Sequence, residues 1–289
     1  MAQGFVAATD FSEDAGYAAH RAALLAAQHG AQLELLHVVA KAPLEALREI
    51  FHAKPEGAAN LVEDLRNMLT GVSSALAERT GASITSRIEI GEVLDVITRE
   101  CSRADLLVLG ARGTNPLHDV ILGTTAERLL GKCAHPILVV KRPPQRAYEK
   151  LLVAVDFSPP SERALRVALR VAPRAAVMVL HAYDVPFEGK LRTAGVADET
   201  IDAYRFKAAQ RAIAEIQSLS QTICGDRDRF IAAVDRANPS RMILDKEPAF
   251  PADLIVMGRG ARPLAEVLLL GSVTRHVLAG SASDVLVVP

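Results

Sequence analysis

The chain has 289 residues, half of them apolar and 23% charged, with a formal net charge of −1. That balance suggests neither disorder nor an electrostatic attraction to nucleic acid or an acidic membrane; with 4% aromatics and no Trp, a base-stacking platform is the weakest option. No apolar run approaches the ~18 residues of a membrane span and no basic-then-apolar leader opens the chain, so a cytoplasmic protein of about two domains is expected.

In chain order, Gly4-Phe5-Val6-Ala7-Ala8 is a short apolar strand ended by Thr9-Asp10-Phe11-Ser12, and the alanine- and leucine-rich stretch after it is helical to Gly30. Ser12 or Asp10 supplies the N-cap and Gly30 the stop. Leu33 to Val39 is a second strand. Leu44 to Thr80 carries helical spacing up to Gly81, with a break expected at Pro55-Glu56-Gly57. Ile84 to Ile90 alternates as a strand, Val93 to Ser102 reads as a helix, and Leu106 to Leu109 is an all-apolar strand of the buried parallel kind. Thr124 to Lys132 is the last helix and Ile137 to Val140 the fifth strand, before Pro143-Pro144 marks a boundary. Strands alternating with helices imply a parallel sheet covered on both faces.

The second half repeats the order. Leu151 to Val155, a helix through Val171, Val177 to Ala182, a long helix over Asp198 to Ser220, Phe230 to Val234, Leu254 to Met257 and Val285 to Val288 follow one another. Val6 to Ser12 returns as Leu152 to Val155 followed by Asp156-Phe157-Ser158, so one unit is used twice: domains over 1–142 and 151–289, joined by a linker at 143–150. Three cysteines, Cys101, Cys133 and Cys224, lack CxxC spacing and read as inert reduced thiols.

Each copy ends its fourth strand in a glycine-bearing turn. Gly110-Ala111-Arg112-Gly113 is followed nine residues later by Gly123-Thr124-Thr125, and Gly258-Arg259-Gly260-Ala261 by Gly271-Ser272-Val273, with the first and last glycines of both copies 148 positions apart. Such glycines let backbone N–H groups face an anion with no Cβ in the way, and they admit φ > 0. Gly123 precedes a helix start, where unpaired N–H groups and the dipole favour phosphate and the hydroxyls of Thr124 and Thr125 add donors. Two turns and a helix end then converge on one triphosphate. The plainer alternative is that the glycines only make tight connections and that Thr124-Thr125-Ala126-Glu127 is a capping box; the duplicated spacing favours phosphate.

On these residues the chain resembles the universal stress proteins, whose nucleotide-binding members carry Gly-x-x-Gly, nine residues, then Gly-Ser or Gly-Thr. The early Asp10, the strand with His37-Val38 and the terminal apolar strand follow in order, so the resemblance covers both halves. It implies an α/β fold of two tandem Rossmann-like domains, each a five-stranded parallel sheet of order 3-2-1-4-5 with helices on both faces. It also implies ATP, or AMP or ADP, at the carboxyl edge, with Mg²⁺ or Mn²⁺ carried on the phosphates. The last strands of the two domains would pair, making the chain a built-in dimer compatible with further homodimerisation.

Carried over residue by residue, the resemblance assigns Ala8, Thr9 and Asp10 to the nucleoside end and the backbone of Val38 to the adenine. Leu109 and Gly110 would line the ribose and first phosphate, with Gly113, Gly123, Thr124 and Thr125 at the later phosphates and Arg112 adding charge. For Asp10 and Asp156 a helix N-cap is an equal reading. His37 and His181 read as satisfied, partly buried histidines rather than metal ligands. The implied function is an ATP-binding, nucleotide-dependent regulatory or protective module of stress responses without strong catalysis. A slow ATPase or nucleotidyl-transfer enzyme, for which His118 and Asp119 are the local candidates, is one alternative; a ligand-free scaffold is the other.

The second copy places Asp156, Ala182, Met257, Gly258, Gly271, Ser272 and Val273 at the matching positions, but it departs from the pattern. Its glycine comes one position early and Ala261 stands where the turn has none, at a cost of about 1–2 kcal/mol if that position is left-handed. Ala182 replaces Val38, and Asn238-Pro239-Ser240 replaces Gly91-Glu92. A competent first site and a second that is empty, weak or fitted to a smaller ligand are expected. Arg259 and Arg262 read alternatively as solvated loop charges.

Overall fold

Apolar runs become the strands β1 (Gly4–Ala8), β2 (Gln32–Ala40), β3 (Ser83–Gly91), β4 (Leu106–Gly110) and β5 (Ile137–Val140), and in the second half β6 (Lys150–Ala154), β7 (Ala176–Ala182), β8 (Phe230–Asp235), β9 (Leu254–Gly258) and β10 (Asp284–Val288). The structure is a computed structural model that describes residues 4–42, 55–113, 122–185, 188–224, 229–260 and 270–289. Between the strands lie the helices α1 (Glu13–His29), α2 (Pro55–Thr80), α3 (Val93–Cys101), α4 (Thr124–Lys132), α5 (Pro159–Val171), α6 (Glu188–Thr193), α7 (Asp198–Cys224), α8 (Pro239–Ala249) and α9 (Ser272–Gly280).

All ten strands form one sheet in the order β3-β2-β1-β4-β5-β10-β9-β6-β7-β8, so each half has the order 3-2-1-4-5. Pairing is parallel within each half. The halves meet where β5 and β10 pair antiparallel, with Leu138 opposite Leu286. Every residue of β5 and β10 is buried, as expected where helices cover both faces of a sheet. One apolar cluster contains Phe5, Val108, Leu138, Leu151 and Leu286, and a second contains Val6, Leu107, Val139, Leu152 and Val285. Each cluster draws on both halves, so the two repeats share their cores.

Local signals decide the helix ends. Ser12 is the N-cap of α1, accepting from Ala15 N at 3.3 Å, and Gly30 closes the helix at φ 61°. Asp10 does not cap α1; its Oδ1 accepts from Ser12 N at 3.0 Å, one step earlier in the chain. Pro55-Glu56-Gly57, read as a break, are helical within α2; residues 44–54 lie outside the described residues. Two helices were not anticipated. α6 has six described residues, too few for a periodic signal. α8 begins at Asn238-Pro239, where Asn238 accepts from Arg241 N at 3.3 Å and Pro239 occupies the first turn, so the segment taken as a loop is a helix start.

A polar knot fastens the junction. The fully buried Asp284 accepts from Lys141 N at 2.9 Å and from the Tyr148 hydroxyl at 2.7 Å, and its second oxygen lies 3.5 Å from Arg21 Nε. The Arg21 guanidinium stacks 4.0 Å over the Tyr148 ring and donates to Arg146 O at 2.6 Å. Burial pushes the Asp284 carboxyl up despite the hydrogen bonds and cations that oppose it. Lys141 Nζ donates to Leu278 O, Ser281 O and Ser281 Oγ at 2.6–2.8 Å, closing the carboxyl end of α9.

Removing one partner of a buried pair leaves an uncompensated charge, so Arg21→Met is expected to destabilise the chain by about 3–5 kcal/mol, read as a fall of roughly 5–15 °C in Tm by calorimetry. Burial also pushes the Lys141 ammonium down to about 8 from its ordinary 10.5. Between those values the folded chain gives up a proton that the unfolded chain keeps, so stability rises with pH across that window. In urea titrations Lys141→Met is expected to flatten that rise.

Candidate functional site: two cavities at the carboxyl rims

The carboxyl ends of β1, β2 and β4 and the start of α4 enclose a cavity of about 460 Å³. The end of β1 supplies Ala8, the turn after it Thr9 and Asp10, β2 supplies Leu36 and Val38, and α3 supplies Val93 and Ile97. Leu109, Gly110, Arg112 and Gly113 come from the end of β4 and its loop, and Gly123, Thr124 and Thr125 from the start of α4. All eleven residues singled out for the first copy therefore line one cavity. The apolar wall of Leu36, Val93 and Ile97 was not foreseen, since those residues read only as core from their spacing.

The glycines serve here for a different reason than expected. None of Gly110, Gly113 and Gly123 has a positive φ, so conformational freedom is not what they supply. A Cβ on Gly110 would lie 2.6–2.8 Å from Asp14 C, Asp14 O and Ala15 N, so bareness there lets the first turn of α1 press against the end of β4. A Cβ on Gly113 would lie 2.7 Å from Asp10 Oδ2, so a side chain there would have to displace the Asp10 carboxylate. Gly123 is the N-cap of α4 and Thr124 its first helical residue, with no side-chain cap. The capping box over Thr124 to Glu127 does not form, and the first N–H groups of α4 keep their donor capacity at the cavity.

Charge in the loop is already committed. Asp14, buried in the first turn of α1, accepts from Arg112 N at 3.1 Å and Arg112 Nε at 3.0 Å, and this contact raises the pKa of the half-exposed Arg112 guanidinium. Arg112 thus lines the cavity as a tethered cation. Comparing the copies could have flagged Asp14, because Pro160 stands at its place in the second.

The second cavity, about 280 Å³, gathers Asp156, Ala182, Met257, Gly258, Gly271, Ser272 and Val273, all seven residues singled out for it. Gly258 repeats the role of Gly110, its Cβ position lying 2.9 Å from Pro160 C and Ser161 N. Burial works to raise the Asp156 carboxyl, but hydrogen bonds from Ser158 and Ser161 outweigh it and hold the carboxyl below its usual range. The loop then diverges. With no acid at Pro160 to tie it down, it turns at Gly260, which is left-handed at φ 93°. Arg259 is not a solvated charge: its guanidinium donates to Leu130 O and Gly131 O at 3.3 Å and Cys133 O at 2.8 Å, closing the carboxyl end of α4 in the other half. Ala261, Arg262, His118 and Asp119 lie outside the described residues.

His37 and His181 are each engaged with backbone, Nδ1 lying 2.7 Å from Thr9 O and 2.9 Å from Val155 O. Among the described residues no three His, Cys, Asp or Glu side chains are grouped to hold a metal ion, and no helix is long and apolar enough to cross a membrane.

Comparison with known proteins agrees with this architecture. The Universal stress protein family profile matches residues 1–141 and again 147–289. A universal stress protein of Mycolicibacterium smegmatis is 28% identical over 304 aligned positions, covering 99% of this chain and 96% of that one. Among solved structures, a universal stress protein from Archaeoglobus fulgidus superposes with a TM-score of 0.69 at 20% identity, covering 99% of this chain and 97% of that chain. A functionally unknown protein from Pseudomonas aeruginosa follows at 0.66 and 21% identity, covering 99% and 92%; at such identities the likeness speaks for the fold. Matched twice along its length and folded as two like units joined through their last strands, the chain belongs to the universal stress protein family.

Proposed function

We propose that the amino-terminal cavity binds an adenine nucleotide, ATP foremost and AMP or ADP by the same contacts, and that the chain acts as a nucleotide-dependent regulatory or protective module rather than as a strong catalyst. The observation that carries this reading is the uncapped start of α4 at Gly123, facing the same cavity as the bare turn of Gly110 and Gly113. A volume of about 460 Å³ falls within the range of small-molecule sites. In this reading Ala8, Thr9, Asp10 and Val38 hold the nucleoside end beside the apolar wall of Leu36, Val93 and Ile97. Leu109 and Gly110 line the ribose and first phosphate. Gly113, Thr124 and Thr125 meet the later phosphates with backbone N–H and hydroxyl donors, Gly123, whose own N–H goes to Ala111 O at 2.7 Å, leaves the helix start bare beside them, and the tethered Arg112 adds positive charge. A divalent cation, Mg²⁺ or Mn²⁺, would be held chiefly by the phosphate oxygens. Residues 1–142 and 151–289 are the two domains in this proposal, joined through 143–150.

The second cavity is the weaker binder in the same proposal. Its volume is smaller, Gly260 stands where Arg112 lines the first cavity, and Arg259 is spent on the other half of the chain.

Protein purified without added nucleotide and then denatured is expected to release an adenine nucleotide detectable by mass spectrometry, and calorimetric titration of the stripped protein to give about one ATP per chain. Gly113→Val drives a branched side chain into the Asp10 carboxylate and the phosphate turn, so ATP affinity should fall about 100-fold or more. Undiminished ATP affinity in that variant removes the assignment. Arg112→Gln is expected to cost less, about three- to tenfold, because Asp14 already offsets part of the charge.

A further inference from the structure

We infer that Phe11 and His37 form a clamp that sets the Asp10 carboxylate at the nucleoside end of the first cavity, and that Phe157 and His181 do the same for Asp156 in the second. The inference rests on the nucleotide reading for the identity of the ligand, and on geometry alone for the clamp.

Among the described residues the non-glycine positions with positive φ are Phe11 at 62° and Phe157 at 59°, which occupy the same place in the two repeats. A bulky L side chain is strained in that region, so the surroundings must hold it there. In both copies the holder is the same. The Phe11 ring packs on the His37 imidazole with centroids 4.6 Å apart, and the Phe157 ring on that of His181 at 4.4 Å. Each imidazole turns Nδ1 to the backbone carbonyl just before the aspartate, Thr9 O at 2.7 Å and Val155 O at 2.9 Å. A carbonyl only accepts, so Nδ1 carries the proton.

The residue before each aspartate is thereby fixed from both sides, since Thr9 N donates to Leu36 O and Val155 N to Leu180 O, each at 2.9 Å. On the far side the aspartate accepts from a backbone N–H two residues on, Ser12 N at 3.0 Å and Ser158 N at 3.1 Å. Asp10 therefore sits between two anchored points, and its Oδ2 reaches the bare Cα of Gly113, 2.7 Å from where a Cβ would stand.

The two repeats also separate the clamp from the phosphate arm. Between them the acid at Asp14 becomes Pro160, Arg112 becomes Gly260 and Ala111 becomes the interface residue Arg259, yet the strained phenylalanine, the stacked histidine and both anchoring bonds persist. A device retained while the phosphate loop changes belongs to the nucleoside half of the site. Phe11 and His37 are positioning residues in this account; neither lines the cavity.

The test uses the full chain, with Phe11→Gly, which relieves the strained φ but removes the ring, and His37→Leu, which removes the bond to Thr9 O. His37→Asn, whose amide can still donate to that carbonyl, is the conservative control. Each is titrated with AMP and with inorganic tripolyphosphate, and amide hydrogen exchange is followed at Ser12. Phe11→Gly and His37→Leu are expected to lose AMP affinity by about tenfold or more, to keep tripolyphosphate affinity within about twofold, and to exchange the Ser12 amide faster, with His37→Asn close to the parent. Unchanged AMP affinity, or equal loss of both ligands, overturns the positioning role. If the parent chain binds no nucleotide, the nucleotide reading fails instead, and the clamp is then judged on Ser12 exchange: an unchanged rate in both variants overturns it.

Discussion

The antiparallel pairing of β5 with β10 is the constraint on which the rest depends. Because every other pairing is parallel, this one reversal points the carboxyl ends of the two halves in opposite directions, and the two cavities open at opposite ends of one sheet. It also decides where the last helix of each half finishes. α4 starts at the first rim and runs back toward the second, so its carboxyl end arrives beside the loop after β9, where Arg259 closes it. α9 runs the other way and ends beside Lys141, just past β5. Both cations meet the negative ends of helices from the opposite half, and Arg275 on α9 adds a contact to Glu127 on α4 at 3.2 Å.

That arrangement gives a physical reason for the inequality of the cavities. In the first copy the loop after β4 is tied to its own half: Asp14 holds Arg112, Gly113 fits against Asp10, and the short Ala111 leaves the interface to others. In the second copy the residue matching Ala111 is Arg259, and its side chain has become a strut across the junction. One loop of four residues cannot send its arginine into the other half and also offer it to a ligand. In the second copy Arg259 serves the junction, while the turn around Asp156, with its strained Phe157, stays intact.

The junction is polar at its centre as well as apolar around it. Asp284 is fully buried, and the groups that satisfy it, Lys141 N, the Tyr148 hydroxyl and Arg21, come from the end of β5, the segment between the halves and α1. Apolar contact between β5 and β10 would tolerate a register slip; a buried carboxylate with fixed donors does not, because a shifted strand would leave it unpaired. The segment between the halves thereby contributes a side chain to the joint as well as a connection.

What the sequence determined by itself is whatever is written locally: the strand runs with their turns, the ends of α1 at Ser12 and Gly30, the doubling of the unit, and the glycine spacing that, with the family resemblance, named nucleotide residues that line one cavity or the other. These follow from periodicity, capping and backbone sterics over a few residues. The short α6 and the proline-led α8 escaped because one has too few residues for a period and the other begins with residues that also make turns. Tertiary structure alone decided why Gly110 must be bare, that Asp14 tethers Arg112, that Phe11 is left-handed over His37, and that Arg259 leaves its own site. Each of these is a meeting of residues far apart in the chain, and its partner exists only once the parallel crossovers and the single antiparallel seam have brought the two surfaces together.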